Sequence, residues 1–160
     1  MVLELIAVSL SCLIMTLYLT AYINTIGVPT SISATYYKTE RKWLFPAAIS
    51  LTGICALVPL LNNTPDNYQF IAFFIVAASL FVASAPAFRE EMVGKIHATA
   101  ASVLGLCAVI WLLAIGGCPW IAILGVCIAV LDYKHFLFWV EVGLLYNLFI
   151  SLMTVVVMKG

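Results

Sequence analysis

Tyr68–Ala87, YQFIAFFIVAASLFVASAPA, contains no charged residue. A hydrocarbon core about 30 Å thick and a helical rise of about 1.5 Å per residue require roughly 20 apolar residues per crossing, which this stretch supplies. Three further runs have the same character, Leu3–Ile23, Trp43–Leu61 and Ile96–Ile115. Pro119–Leu131 is shorter, and Phe136–Met158 completes the series. Unpaired backbone groups are too costly in lipid for open strands, and no run alternates as a barrel strand would, so all six read as helices. The sequence predicts an all-α integral membrane bundle of six transmembrane helices, a single domain over residues 1–160. The short fifth run reaches only about 20 Å as a helix. The alternative is therefore five spans plus a re-entrant segment.

Composition agrees, since 65% of the 160 residues are hydrophobic and 9% charged, far from a soluble globular chain. Seven basic and seven acidic residues cancel, leaving no basic field for nucleic acid, which is not expected as a partner. The lipid bilayer is the expected surrounding. Met1-Val2-Leu3-Glu4 lacks a positive n-region and no A-x-A site follows, so the first run is expected to stay as a helix. Cys12, Cys55, Cys107, Cys118 and Cys127 form no C-x-x-C pair and are read as packing residues, not as a disulfide framework or zinc site. Asn62-Asn63-Thr64-Pro65-Asp66-Asn67 and Gly116-Gly117-Cys118-Pro119 supply the turn chemistry between runs. Pro86 is expected to close the third helix and Pro59 to kink the second.

In a six-helix arrangement Lys38, Arg41, Lys42, Arg89, Lys95 and Lys134 fall on one side and only Lys159 on the other. The positive-inside rule makes the first side cytoplasmic, with both termini outside a plasma membrane of the bacterial inner-membrane type. With five spans Lys134 and Lys159 exchange sides and the bias is unchanged, so charge does not choose between the two. Trp43, Tyr68 and Trp120 stand near span ends as interfacial anchors.

Small residues recur at Ser79, Ala83 and Ala87 and at Gly94, Ala98 and Ser102, with Ala101 and Gly105 alongside. They predict close backbone packing of the third and fourth runs at the bundle centre. Two polar stripes, Ser9, Thr16, Thr20 and Asn24 on the first run and Asn147, Ser151 and Thr154 on the last, are expected to face protein through interhelical hydrogen bonds.

Ionisable groups near a span usually have a partner or a role, and His97, Asp132, His135 and Glu141 all fall at the basic side. A carboxylate and two imidazoles could hold a divalent metal or relay a proton, with His97, His135 and Glu141 as the ligand set. No H-x-x-x-H or H-E-x-x-H spacing supports this. No cofactor is expected, and the preferred reading pairs Glu141 with a cation, His97, Lys95, Lys134 or His135. Between the first two runs lies Val28-Pro29-Thr30-Ser31-Ile32-Ser33-Ala34-Thr35-Tyr36-Tyr37. Ser31 or Ser33 would need a base such as His97 to act as a nucleophile, and a hydroxyl-rich surface cap is preferred.

That segment, with Lys95-Ile96-His97-Ala98-Thr99-Ala100-Ala101 opening a later helix, resembles small uncharacterised membrane proteins of bacteria and their phages. More distantly it is similar to the DRAM-like family of six-span membrane proteins, which carry a serine-rich motif after the first helix and a histidine on a later one. The resemblance covers most of the chain and implies six spans. The chain departs from the pattern at Ala34, where an acidic residue would follow the second serine.

The leading functional expectation is a non-enzymatic, homo-oligomeric permeation or binding module with its site in the cytoplasmic half, because six short helices cannot supply a transporter's two repeated halves. The second is a membrane-embedded, lipid-modifying or metal-dependent hydrolase using His97, Ser31 or Ser33, and Glu141 or Asp132. The third is a regulatory or structural membrane subunit.

Overall fold

The computed structural model describes the backbone of residues 1–84 and 90–159 and the side chains of 1–84 and 99–159. Among these residues helix is the only regular structure, with no strand. The helices are α1 (Val2–Ile26), α2 (Thr35–Lys38), α3 (Leu44–Asn63), α4 (Gln69–Ser84), α5 (Glu90–Ala114), α6 (Trp120–Leu131) and α7 (Phe136–Lys159). Single 3₁₀ turns precede α4 and α7. α2 is one turn inside the segment read as a loop. α3 continues past Pro59 to Asn63, while Pro86, Ala87 and Arg89 lie outside the described residues.

Four segments are long and apolar enough to cross a membrane, Val2–Ile26, Leu44–Asn63, Asp66–Ser84 and Tyr133–Lys159. The six crossings expected from sequence are thus met in length by four. Trp120–Leu131 is short, and of α5 only Thr99–Ala114 is described with its side chains.

α1, α3, α4 and α5 each pack against the next of them in alternating direction. Ser11 Oγ of α1 donates to the Thr52 carbonyl of α3 at 3.1 Å, and Asn62 Nδ2 at the far end of α3 donates to Glu4 Oε1 at 2.5 Å. Gly53 of α3 backs onto Ser79 of α4. α1 also meets α7 antiparallel, where the Thr16 and Tyr146 hydroxyls lie 2.7 Å apart. α5 closes the ring against α7 and runs parallel to it, since Gly105 faces Leu144 and Ala108, Trp111 and Leu112 cluster with Leu148, Leu152 and Val156. α6 stands outside this ring, its main contact being α7.

Two packed clusters fill the ring. Leu60, Trp111, Leu112 and Leu152, each at most 2% exposed, fill the half next to the termini. There the Trp111 indole N–H donates to Thr64 Oγ1 at 2.7 Å, so the one polar atom of a buried ring is satisfied. Met15, Leu19, Phe45, Phe138 and Phe149 fill the half next to the 27–43 loop. The outer surface is apolar as well, with Leu17, Phe73, Phe81, Leu106 and Leu113 all exposed. A surface of this kind suits hydrocarbon rather than water.

The polar stripe of α1 is a correction. Ser9, Thr20 and Asn24 are exposed and Thr16 alone turns inward, whereas Val8, Ser11, Met15, Leu19 and Tyr22 form the buried face. On α7 Asn147 is buried but Thr154 is exposed and donates to the Ile150 carbonyl at 2.8 Å. A helical hydroxyl returns its proton to the carbonyl one turn back, so it needs no interhelical partner and its facing is not fixed by its polarity.

The closest backbone approach also falls elsewhere than predicted. A Cβ on Gly125 would stand 2.7 Å from the Trp139 carbonyl oxygen and 2.8 Å from Gly143 Cα, so α6 and α7 touch backbone to backbone. Asn147 Oδ1 accepts from the Ile121 and Ala122 amides at 2.9 and 3.2 Å. These are N–H groups of the first turn, which a helix cannot satisfy itself. α6 therefore starts opposite the middle of α7 and spans about 18 Å of it. α5 ends before this in a glycine-stopped turn, where Gly116 at φ 68° lets the Gly117 amide reach the Leu112 carbonyl at 2.8 Å.

Candidate functional site

The segment after α1 turns back over the mouth of the bundle. Gly27, at φ 100°, ends α1, and Pro29, Ser31, Ile32 and Thr35 are all buried. Local bonds shape the turn. Ser31 Oγ accepts from the Ala34 amide at 3.1 Å and lies 3.0 Å from Ser33 Oγ. Thr35 Oγ1 donates to the Ile32 carbonyl at 2.6 Å, which leaves the Tyr18 hydroxyl of α1 to donate to Thr35 Oγ1 at 2.5 Å. Hydroxyls thus fasten the segment to itself and to α1.

Glu141 fastens it to α7. The Ile32 amide donates to Glu141 Oε2 at 2.5 Å. Of the cationic partners the sequence predicted for this carboxylate, Lys134 and His135 do not pair with it, the ion pair among the described residues being His135 with Asp132, while the side chains of Lys95 and His97 lie outside the described residues. Among the described residues Glu141 Oε1 has no hydrogen-bond partner.

Below this latch is a cavity of about 140 Å³. Among the described residues Glu141 and Ser33 are its polar lining. Ile32 of the loop, Phe45 and Ile49 of α3, Val82 of α4, four residues of α5 from Ala101 to Ala108, and Leu144, Leu145 and Leu148 of α7 make the rest of the described wall. The predicted packing of the third and fourth runs is met, since α4 and α5 lie against each other and Ala101 packs on the core, but tight backbone contact at Gly105 is corrected. Among the described residues a Cβ on Gly105 would meet only Leu144 Cδ1, at the ordinary contact distance of 3.9 Å, so no backbone presses on this glycine. A short side chain permits either close approach or a void, and only the neighbouring helix decides which.

His135 and Asp132 sit apart from the cavity, at the turn between α6 and α7. His135 Nδ1 is 2.9 and 3.0 Å from the two Asp132 oxygens, and the Trp139 indole N–H donates to Asp132 Oδ2 at 2.9 Å. Those two bonds, the indole first, hold the Asp132 carboxyl below its ordinary value of 3.8. His135 is thus committed to Asp132 and is not brought together with Glu141. Among the described residues no three of His, Cys, Asp and Glu gather as a metal site. His97 lies on α5 one turn before Ala101, with its side chain outside the described residues. The Ser31 and Ser33 hydroxyls contact no imidazole among the described residues.

Ser31, Ser33 and Glu141 are therefore brought together, while Asp132 and His135 form a second, separate group. Sequence reasoning missed Tyr18, Thr35 and the wall residues of α5, whose roles arise from contacts distant in the chain. All five cysteines are free. No protein-family model, curated protein or solved structure matches this chain.

Proposed function

We propose that this chain is a six-crossing membrane protein that binds a small, mainly apolar molecule bearing a cationic or hydrogen-bond-donating head, with Glu141 as the group that receives the head. The observation that carries the reading is a half-buried glutamate, Glu141, in the wall of an otherwise largely apolar cavity of about 140 Å³. Apolar cavities of roughly 150 Å³ take benzene, which sets the size of the bound part. A carboxylate in such a wall gains most from a cation or donor, because among the described residues the Ile32 amide is the one donor that compensates it.

Six crossings are supported by the parallel course of α5 and α7, because a re-entrant fifth segment would set those two helices antiparallel. Lys38, Arg41 and Lys42 sit at the end that holds Glu141, which argues for a cytoplasmic site and external termini in an inner membrane. Binding is favoured over permeation by the packed half around Leu60, Trp111 and Leu152. The likeness to the DRAM-like family belongs to the same proposal through Ser31 and Ser33, which sit over this cavity.

The test uses ¹⁹F NMR of 4-fluorobenzylamine and 4-fluorotoluene with the protein in nanodiscs. Saturable amine binding is expected, weakened at least about tenfold by Glu141→Gln, equivalent to about 1.4 kcal/mol. Fluorotoluene should bind both forms alike. No saturable binding, or equal amine affinity for wild type and Glu141→Gln, overturns the proposal.

A further inference from the structure

α1, α3 and α7 are each long enough to cross a hydrocarbon core, and α6 is not. Lys134 and Lys159 mark the two ends of α7. Asn147 lies midway between them, about 18 Å along the helix from Lys159, and α6 begins there because Asn147 Oδ1 accepts from its first amides. α5 ends higher. With Gly105 beside Leu144, Ala114 comes level with Met153 at equal rise, and the chain descends about 9 Å through 115–119 to reach α6. The turn joining these helices is therefore sunk below the ends of α1 and α7.

This sunken turn is open and polar in its backbone. Gly116, Cys118 and Trp120 are exposed. The Gly116 and Gly117 amides bond back to Leu113 and Leu112, but among the described residues no donor reaches the carbonyls of Ile115, Gly116, Gly117 or Cys118. Toward Lys159, the face of α7 that α6 leaves bare carries Ser151, which accepts from Asn147 Nδ2 at 3.4 Å, and exposed Thr154. Carbonyls without donors are not tolerated against hydrocarbon.

We infer that the bilayer is thinned beside α6, the interfacial layer of water and lipid headgroups following the α5–α6 turn down to the level of Asn147. Lipid accommodates a short apolar element by thinning to meet it, and α6 offers about 18 Å of apolar length against a core of about 30 Å. Trp120, 72% exposed, sits where an indole anchors at an interface, its ring on apolar chains and its N–H toward headgroups. A second copy of the chain is a poorer occupant, because an apolar helix face brings no donors to the four carbonyls. Such thinning requires that α7 cross the membrane and is independent of ligand binding at Glu141.

Cysteine accessibility reads the depth of water. In nanodiscs holding one copy of the wild-type protein, both faces are open to a charged, impermeant maleimide, so the orientation of the chain does not enter. Labelling is followed peptide by peptide by mass spectrometry. Cys118 is expected to react at least about tenfold faster than Cys127, which is also exposed but lies two turns along α6. Leu10 of α1 then tests depth. By the Thr16–Tyr146 register it lies level with Leu152, nearer the termini than Trp120, and it is 44% exposed. Trp120→Cys is nevertheless expected to react at least about tenfold faster than Leu10→Cys. Melting temperature checks the fold, and Ser151→Cys serves as the probe if Trp120→Cys does not fold. Cys118 as slow as Cys127, or a folded Trp120→Cys or Ser151→Cys no faster than Leu10→Cys, overturns the thinning. A Cys118 rate that falls at least about tenfold when two copies share a disc assigns the surface to a second copy and overturns lipid headgroups as its partner.

Discussion

Asp132 makes the residue scale measurable because it lies between α6 and α7, outside the segments long enough to cross a membrane. Its carboxyl accepts from the Trp139 indole and the His135 ring, and both bonds favour the ionised form. The native value is therefore lower than the unfolded one. A depressed carboxyl contributes stability that is complete above its unfolded value, near 4, and is lost as pH falls through the lower native value. Melting temperatures of wild type and Asp132→Asn should differ by a constant amount above about pH 5 and converge in more acid solution. A difference that stays constant down to pH 2 would show that Asp132 is not stabilised as an anion. Asp132, His135 and Glu141 were all legible in the sequence as ionisable residues at one side. Their partners were not. Asp132 found its own neighbours three and seven residues on, while Glu141 found an amide 109 residues away.

At the scale of elements, the short helix α6 depends on two contacts with α7. Gly125→Ala must place a Cβ within 3 Å of Trp139 O and Gly143 Cα, so the helices must separate. The loss should exceed the gain of about 1 kcal/mol that Ala brings to a helix interior. Gly105→Ala meets only Leu144 Cδ1 at 3.9 Å and should be neutral or slightly stabilising. Asn147→Ala leaves the Ile121 and Ala122 amides without their acceptor, at about 1–3 kcal/mol. Thermal melting in one detergent ranks the three variants, and equal melting of Gly125→Ala and Gly105→Ala would contradict the contact described. Apolar run length forecast the helices to within a few residues at most ends. It did not reveal that α5 begins as early as Glu90, because its first turns are polar and a hydropathy reading starts only where they end.

For the whole molecule, the proposed orientation places the 38–42 loop in the cytoplasm and the C-terminus outside. Single cysteines introduced at Lys38 or Lys42, in a background lacking exposed Cys118 and Cys127, should resist an impermeant reagent added from outside. A tag after Gly160 should be reached from outside by protease. Labelling at Lys42 with protection of the tag would reverse the orientation. Composition and run length by themselves determined an all-helical chain with an apolar exterior, because the solvent for which a surface is suited is written in every residue that covers it. The distribution of Lys and Arg likewise singled out one end of the molecule. Only the tertiary structure decided that Ser9 and Thr20 face outward, that Gly125 rather than Gly105 marks the closest contact, and that Glu141 holds down the loop above a cavity. A helix buried in protein and a helix facing lipid are equally apolar. The inward face is therefore selected by the shape of its neighbours, which a hydrophobic pattern does not encode.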